Sequence, residues 1–258
     1  MKIILTSKPT YQGYSIEAGK ADNQKHFDHH GEFEKYPSPC NNKDIQPIED
    51  LEIENVIIEI THIDADTYCG ILRLLGKELP NIDLKLLEKI DNNGSSVCQD
   101  KFDKTLLYMI GIGKLQRDLK FPRVSAEPQD VTSIVQSMFN YSIEDIIKIG
   151  KEAQVKAEDS YFNCELEHLL FSKILFSINE DDNLDPSRAY EDNYKVVVVY
   201  RQHYKTISIY CNPKSDYTFE GKIIAGIEFN GHPKACGSPR GVEYTEEQAK
   251  QVYNAIRV

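Results

Sequence analysis

The sequence predicts an α/β fold: a parallel sheet in the N-terminal part, a helical middle segment, and a smaller α+β domain toward the C-terminal end. Three observations predict it. The run NVIIEIT at residues 55–61 is apolar and β-branched, the composition of a strand buried on both faces. Residues 104–178 carry apolar side chains at three- and four-residue steps, the period of helices that pack through one face. Beyond residue 194 the pattern turns to strands, in KVVVVYRQ and TISIYCN.

Residues 2–6 (KIILT) form a first short strand, and 55–61 the next clear one. CGILRLL at 69–75 has helical spacing, which makes a strand–loop–helix unit with the strand before it. IDLKLLEKID at 82–91 reads as another helix, closed by the turn-forming Asn92-Asn93-Gly94. In the middle segment TLLYMIGIGKLQRDL, DVTSIVQSMF, SIEDIIKIGKEAQVKAEDS and ELEHLLFSKILFSI all read as helical, and Ser142 with Glu144 and Asp145 marks a helix start. NEDDNLDPSRAYEDN at 179–193 is acidic, contains Pro186 and reads as a surface linker. The expected domains are therefore 1–185, including the helical segment 104–178, and 194–258, which ends in an amphipathic helix at 245–256.

Composition narrows the function classes. The chain has 258 residues, 40% hydrophobic and 28% charged, enough for a core and outside the range of disordered chains. No apolar run approaches the roughly 20 residues a membrane-spanning helix needs, and MKIILTSKPT turns polar too early for an export signal. Six scattered cysteines form no CxxC pair, so neither a zinc ribbon nor a dithiol redox motif is expected, and a cytoplasmic location with reduced thiols is. A net charge of −11 argues against long nucleic acid as a partner, because neutralising many phosphates takes a basic surface. It leaves room for a small phosphorylated or nucleotide substrate held by a metal or a local basic pocket.

Three clusters could carry chemistry. His26-Phe27-Asp28-His29-His30-Gly31 places three imidazoles and a carboxylate within five residues, a donor set suited to zinc, manganese or iron rather than magnesium or calcium. His62, Asp64 and Asp66 follow the apolar strand at alternate positions, so they would point the same way if the strand continued. Carboxylates at the C-terminal end of a parallel strand sit where α/β sheets bind ligands, and like charges so close favour a divalent cation. The structural alternative makes Asp66 a helix N-cap. Asn230-Gly231-His232-Pro233-Lys234-Ala235-Cys236-Gly237 ends a strand in a small loop with one imidazole and one cation, which suits a phosphate. Lys89-Ile90-Asp91-Asn92-Asn93-Gly94 is by itself a plain turn.

These residues resemble the DHH phosphoesterases that carry a DHH-associated C-terminal domain. Asp28-His29-His30 matches the naming triplet, and His62, Asp64 and Asp66 match the HxDxD motif of the RecJ-like and nanoRNase-like branch. The segment from Asn230 to Gly237 is similar to the GGHxxAAG signature of the associated domain, with Asn230 and Cys236 replacing a glycine and an alanine. In the family the HxDxD motif comes first. Here Asp28 precedes His62 by 34 residues, so the order is rearranged, as in a circular permutation.

The resemblance implies two divalent metal ions, manganese first among them, with His29, His62, Asp64, Asp66 and Asp91 as ligands. The bridging ligand stays open, Asp22 being the close upstream candidate. Asp28 would orient a neighbouring imidazole, His30 would contact the scissile phosphate, and Gly231, His232, Lys234 and Gly237 would bind substrate in a cleft between the two domains. The implied reaction is metal-assisted hydrolysis of a small phosphodiester, such as a short oligonucleotide or cyclic dinucleotide, with water as nucleophile. The alternatives are hydrolysis of pyrophosphate or polyphosphate, and a non-catalytic nucleotide-binding protein.

Overall fold

The computed structural model describes residues 1–49, 55–163, 165–168, 174–179, 186–239 and 241–256. They form two compact units, Met1–Glu88 with Asp100–Glu152, and Lys89–Gln99 with Ala153–Val258. The class is mixed α/β: one unit is built on a largely parallel sheet, the other on a largely antiparallel one.

In the first unit the chain forms β1 (Lys2–Leu5), β2 (Tyr14–Ile16), β3 (His26–Phe27), β4 (Ile57–Ile60), α1 (Ala65–Leu74), α2 (Leu84–Asn93), α3 (Lys104–Asp118), β5 (Gln129–Asp130), α4 (Thr132–Met138) and α5 (Ile143–Asn163). The helices α2 and α5 each run past the unit's limits. The sheet order is β3-β2-β4-β1-β5, and every pair except β1–β5 is parallel. The predicted strands at 2–6 and 55–61 are thus neighbours, with Ile3, Leu5, Ile58 and Ile60 in the core.

Nine of the ten residues of α1 are buried, Arg73 being the exception, so this helix is interior rather than amphipathic. It lies tight on the sheet because Gly70 has no side chain: a Cβ there would stand 2.9 Å from Pro39 and 3.1 Å from Ile16. Helix α5 begins with the predicted cap. The Ser142 hydroxyl accepts from the Asp145 amide at 3.1 Å while Asp145 accepts from the Ser142 amide and hydroxyl, a reciprocal capping box. Helix α2 carries on through Asn93, and the expected turn is confined to Gly94, at φ +83°.

The second unit contains β6 (Glu165–His168), β7 (Ile174–Asn179), α6 (Pro186–Glu191), β8 (Val196–Arg201), β9 (Thr206–Cys211), β10 (Lys222–Ile224), β11 (Ile227–His232), β12 (Ala235–Gly237) and α7 (Glu246–Ala255). Its sheet runs β10-β11-β12-β9-β8-β7-β6, with only the β7–β8 pair parallel. The KVVVVYRQ strand is buried on both faces. Val196, Val198 and Tyr200 join Phe176, Val252 and Tyr253 in one cluster, while Val197 and Val199 pack with Ala189.

Three sequence expectations change here. The segment ELEHLLFSKILFSI is not helical: residues 165–168 and 174–179 are strands, while 164 and 169–173 lie outside the described residues. Its apolar positions fit either period, and pairing with β8 along six register positions decides for a strand. The expected break between 185 and 194 lies inside the second unit, because β7 and β8, on either side of it, are hydrogen-bonded neighbours. The part of the acidic linker at 186–191 is the helix α6, with residues 180–185 outside the described set. Among the described residues no helix is long and apolar enough to cross a membrane, and Cys40, Cys69, Cys211 and Cys236 are free thiols.

Candidate functional site

Leu5, Ile60, Ile16 and Phe27 stand in one register row across β1, β4, β2 and β3. The next residue of each strand, Thr6, Thr61, Glu17 and Asp28, therefore opens a loop at the C-terminal edge of the parallel sheet, where such folds bind ligands. The triplet leaves β3 and the His62–Asp66 segment leaves β4, and these two strands flank β2. Their inverted order along the chain still delivers both to one edge.

Glu17 is a candidate ligand that the sequence reading missed. It follows β2 in a left-handed conformation, φ +53°, a strained state for a residue with a side chain. Its carboxylate is buried, with Oε2 2.8 Å from His30 Nδ1 and Oε1 3.6 Å from His29 Nε2. The same His30 nitrogen is 3.0 Å from Asp28 Oδ1. Asp28 also accepts from the His30 amide at 2.9 Å and the Gly19 amide at 2.6 Å, so it orients the imidazole and ties down the loop. Because both carboxylates face Nδ1, that atom carries the proton. The one available signal for Glu17 was a carboxylate directly after the short apolar strand.

Asp66 does not extend a strand. Strand β4 ends at Ile60, and Asp64 is the N-cap of α1, its Oδ1 accepting from the Thr67 amide at 2.8 Å. Alternation therefore fails, and the cap is Asp64 rather than Asp66. Asp66 lies in the first helical turn, 1% exposed, with Oδ1 accepting from the Ser38 hydroxyl at 2.5 Å and the Cys40 amide at 2.7 Å. Its Oδ2 is 3.5 Å from His29 Nε2. His62 and Asp64 form a separate pair, Nε2 to Oδ2 at 2.8 Å. Among the described residues neither belongs to a group of three ligand atoms within 4.8 Å of one another. The Thr61 hydroxyl donates to the Glu17 carbonyl at 2.6 Å and so accepts from His62 Nδ1 at 3.0 Å. That fixes the imidazole with Nε2 toward Asp64.

The donor set fits a divalent ion. Glu17, His29 and His30 bring ligand atoms within 4.8 Å of one another, and among the described residues Glu17 Oε1 is buried with no hydrogen-bond donor. Two donors about 2.1 Å from one ion at a tetrahedral angle stand about 3.4 Å apart, close to the 3.5 and 3.6 Å separations of His29 Nε2 from Asp66 and Glu17. Burial, helped by the charge of Asp66, pushes the Glu17 carboxyl up to about 8 against the pull of His30. Burial opposes the charging of His30, but the Asp28 and Glu17 carboxylates outweigh it and raise the imidazole to about 11. Burial likewise opposes charging at Asp64, and His62 with the Thr67 amide holds it well below the usual carboxylate range. Carboxylates crowded in a low-dielectric site gain most from a cation.

Asp22 is not a bridging candidate. Its Oδ1 accepts from the amides of Gln24, Lys25 and His26, closing a turn. His26 stands between Asp22 and Ser15, with Nδ1 3.0 Å from the serine hydroxyl. Ser15 is fully buried, so this serine–histidine–aspartate chain has no substrate access and is structural.

In the second unit Asp91 Oδ2 is 3.7 Å from His232 Nε2. The residues from Asn230 to Gly237 form a β-hairpin rather than an open loop. Asn230 pairs with Gly237 and His232 with Ala235, around a turn of Pro233 and Lys234. Gly231 has φ +141°, and a Cβ there would stand 2.8 Å from the Ala235 carbonyl, so glycine is a requirement of the hairpin itself. Lys234 Nζ donates to the carbonyls of Ser215 at 2.6 Å and Tyr217 at 2.9 Å.

No family model matches the chain, and no curated protein matches it in sequence. Among solved structures it is similar to the pGpG-specific phosphodiesterase PggH from Vibrio cholerae, at 10% identity and TM-score 0.38, over 78% of this chain and 77% of that one. It is also similar to RecJ from Thermus thermophilus in complex with Mg2+, at 12% identity and TM-score 0.36, over 73% of this chain and 30% of that one. A third likeness is an exopolyphosphatase-related protein from Bacteroides fragilis, at 11% identity and TM-score 0.28, over 78% of this chain and 58% of that one.

Proposed function

We propose that the chain is a metal-dependent phosphoesterase that hydrolyses a small phosphodiester, a short oligonucleotide or a cyclic dinucleotide. One observation carries the reading: Glu17, His29, His30 and Asp66 converge at the C-terminal edge of a parallel sheet, and a buried Glu17 oxygen there has no donor among the described residues. The match of Asp28-His29-His30 and His62-Asp64-Asp66 to the DHH motifs supports the same assignment. Divalent ions, two of them with manganese preferred, would supply charge neutralisation at phosphorus and a more acidic water.

The chain's own residues have distinct tasks. Glu17, His29 and Asp66 hold an ion, and His62 with Asp64 offers a second ligand pair. The Ser38 hydroxyl and Cys40 amide fix one oxygen of Asp66, leaving the other toward His29. Asp28 and Glu17 keep the proton of His30 on Nδ1 and favour the imidazolium, whose Nε2–H then donates to a non-bridging phosphate oxygen. Asp91 and His232 are assigned to metal and substrate contact, and the glycines 231 and 237 to the hairpin that presents His232. In the test, short oligonucleotides, cyclic dinucleotides and pyrophosphate are incubated with manganese. Turnover of a diester that disappears in Asp66→Asn is expected. Absence of turnover of every phosphoester with manganese, magnesium and cobalt sinks the proposal, and cleavage of pyrophosphate alone replaces the diester with an anhydride.

A further inference from the structure

The second unit gathers an aromatic and cationic group that the reading above leaves unused. In the connection between β9 and β10 the rings of Tyr217 and Phe219 lie parallel, 4° between planes and 6.4 Å between centroids. Phe219 is buried in the core cluster, whereas Tyr217 packs against that cluster and stays partly exposed. Tyr217 is therefore a ring anchored on the core and partly open to solvent. Lys195 Nζ is 6.0 Å from the Tyr217 centroid and Lys222 Nζ 5.3 Å from that of Phe219. Lys195, Lys222 and Lys234 thus all reach this segment, in a chain of net charge −11.

Lys234 is bound differently from the other lysines. Its ammonium donates to the carbonyls of Ser215 and Tyr217, and Ser215 in turn bonds through its amide and hydroxyl to the Asn212 carbonyl. The hairpin turn thereby pins the backbone that carries the tyrosine.

We propose that Tyr217 is a stacking platform for a nucleobase, that Lys195 and Lys222 receive the adjoining phosphates, and that Lys234 is a positioning residue for the platform rather than a phosphate ligand. The proposal rests on the nucleotide reading of the substrate and deepens it by requiring a base. A planar ring flanked by long-stemmed cations suits a base joined to phosphate, whereas an acidic peptide would use the cations and leave the ring idle. A solvated lysine over a ring contributes about 2- to 5-fold in affinity. A stacked base contributes about 5- to 150-fold, so a base displaces Lys195 from the Tyr217 face and frees it for phosphate.

The test is fluorescence anisotropy of the full chain in EDTA with dye-labelled five-residue oligoadenylate, beside an abasic strand of equal length. The abasic strand is expected to bind wild-type protein about 5- to 150-fold more weakly. Tyr217→Ala should weaken the base-bearing strand by a similar factor, and Tyr217→Phe should restore it to within about twofold. Lys222→Met should flatten the dependence of log affinity on log salt by about 0.7. Lys234→Met should weaken binding with no change in that slope, and Lys234→Arg should recover it. Equal binding of the two strands overturns the platform without recourse to any variant. So does preference for an oligoaspartate peptide, or wild-type affinity in Tyr217→Ala. A reduced salt slope in Lys234→Met overturns the positioning role. If the wild type binds no oligoadenylate the platform falls, and manganese calorimetry on the first unit's ligands then decides separately whether the hydrolase reading falls with it.

Discussion

The loops after β2, β3 and β4 and the β11–β12 hairpin both carry histidine among glycines and charged residues, yet they use their polar atoms in opposite ways. In the first unit, the facing atoms of Glu17, His29 and Asp66 are 3.5 to 3.6 Å apart, too far for a hydrogen bond and close to the spacing of ligands around one ion. In the second unit, the Lys234 ammonium is bound to two carbonyls, and Gly231 is needed for backbone clearance. Similar composition therefore gathers carboxylates and an imidazole at ligand spacing in one place and ties a turn to backbone carbonyls in the other.

The sharpest way to break this contrast is His29→Ala, measured by calorimetry with manganese. Affinity should fall by more than about 100-fold, since even removing an outer hydrogen-bond partner of a ligand costs about 10- to 100-fold. Unchanged affinity would show that the first unit is a scaffold too. Asp28→Asn is expected to act one step out. It keeps the side chain's shape but loses the charge that pairs with His30, so initial rates should drop about 10- to 100-fold while manganese still binds.

Gly231→Ala probes the opposite side. The added Cβ meets the Ala235 carbonyl at 2.8 Å with φ at +141°, and a strain of about 1–3 kcal/mol is expected. A thermal melt should move down by several degrees; an unmoved melt would mean that the hairpin relaxes at no cost.

The smallest effect concerns Asp22. Burial raises its pKa, but the amides of Lys25, Gln24 and His26 together with the His26 charge outweigh that and hold it at about 2. Its unfolded value is about 3.9, so the folded state favours the carboxylate. The stabilisation is full above about pH 5 and is lost as pH falls through about 2. The side chain is 38% exposed, so solvent screening keeps the effect small. Acid titration of Asp22→Asn against wild type should show a gap near neutral pH that closes by about pH 2; a gap that persists at still lower pH would place the effect elsewhere.

Much of the fold is legible in the sequence because its signals are local. The β-branched runs become β1 and β4, and the Ser142 cap begins α5 where expected. The segment at 165–179 reads as a helix because its apolar spacing satisfies two periods, and the neighbouring strands choose between them. The site is legible in part for a related reason. His29 and Asp66 stand out because they sit in dense motifs, whereas Glu17 is a lone carboxylate after a three-residue strand.

Lys234 shows the same limit from the other side. A cation in a glycine-containing turn reads as a phosphate ligand, and only the structure shows its ammonium donating to the carbonyls of Ser215 and Tyr217, 17 to 19 positions away. Which segments are buried, and which carry imidazoles and carboxylates, follows from the order of residues alone, because hydrophobic period and residue chemistry are properties of neighbours along the chain. Which of those groups meet follows from the paired strands. Convergence depends on the register of β1, β4, β2 and β3, and hydrogen bonds between residues roughly 10 to 60 positions apart set that register.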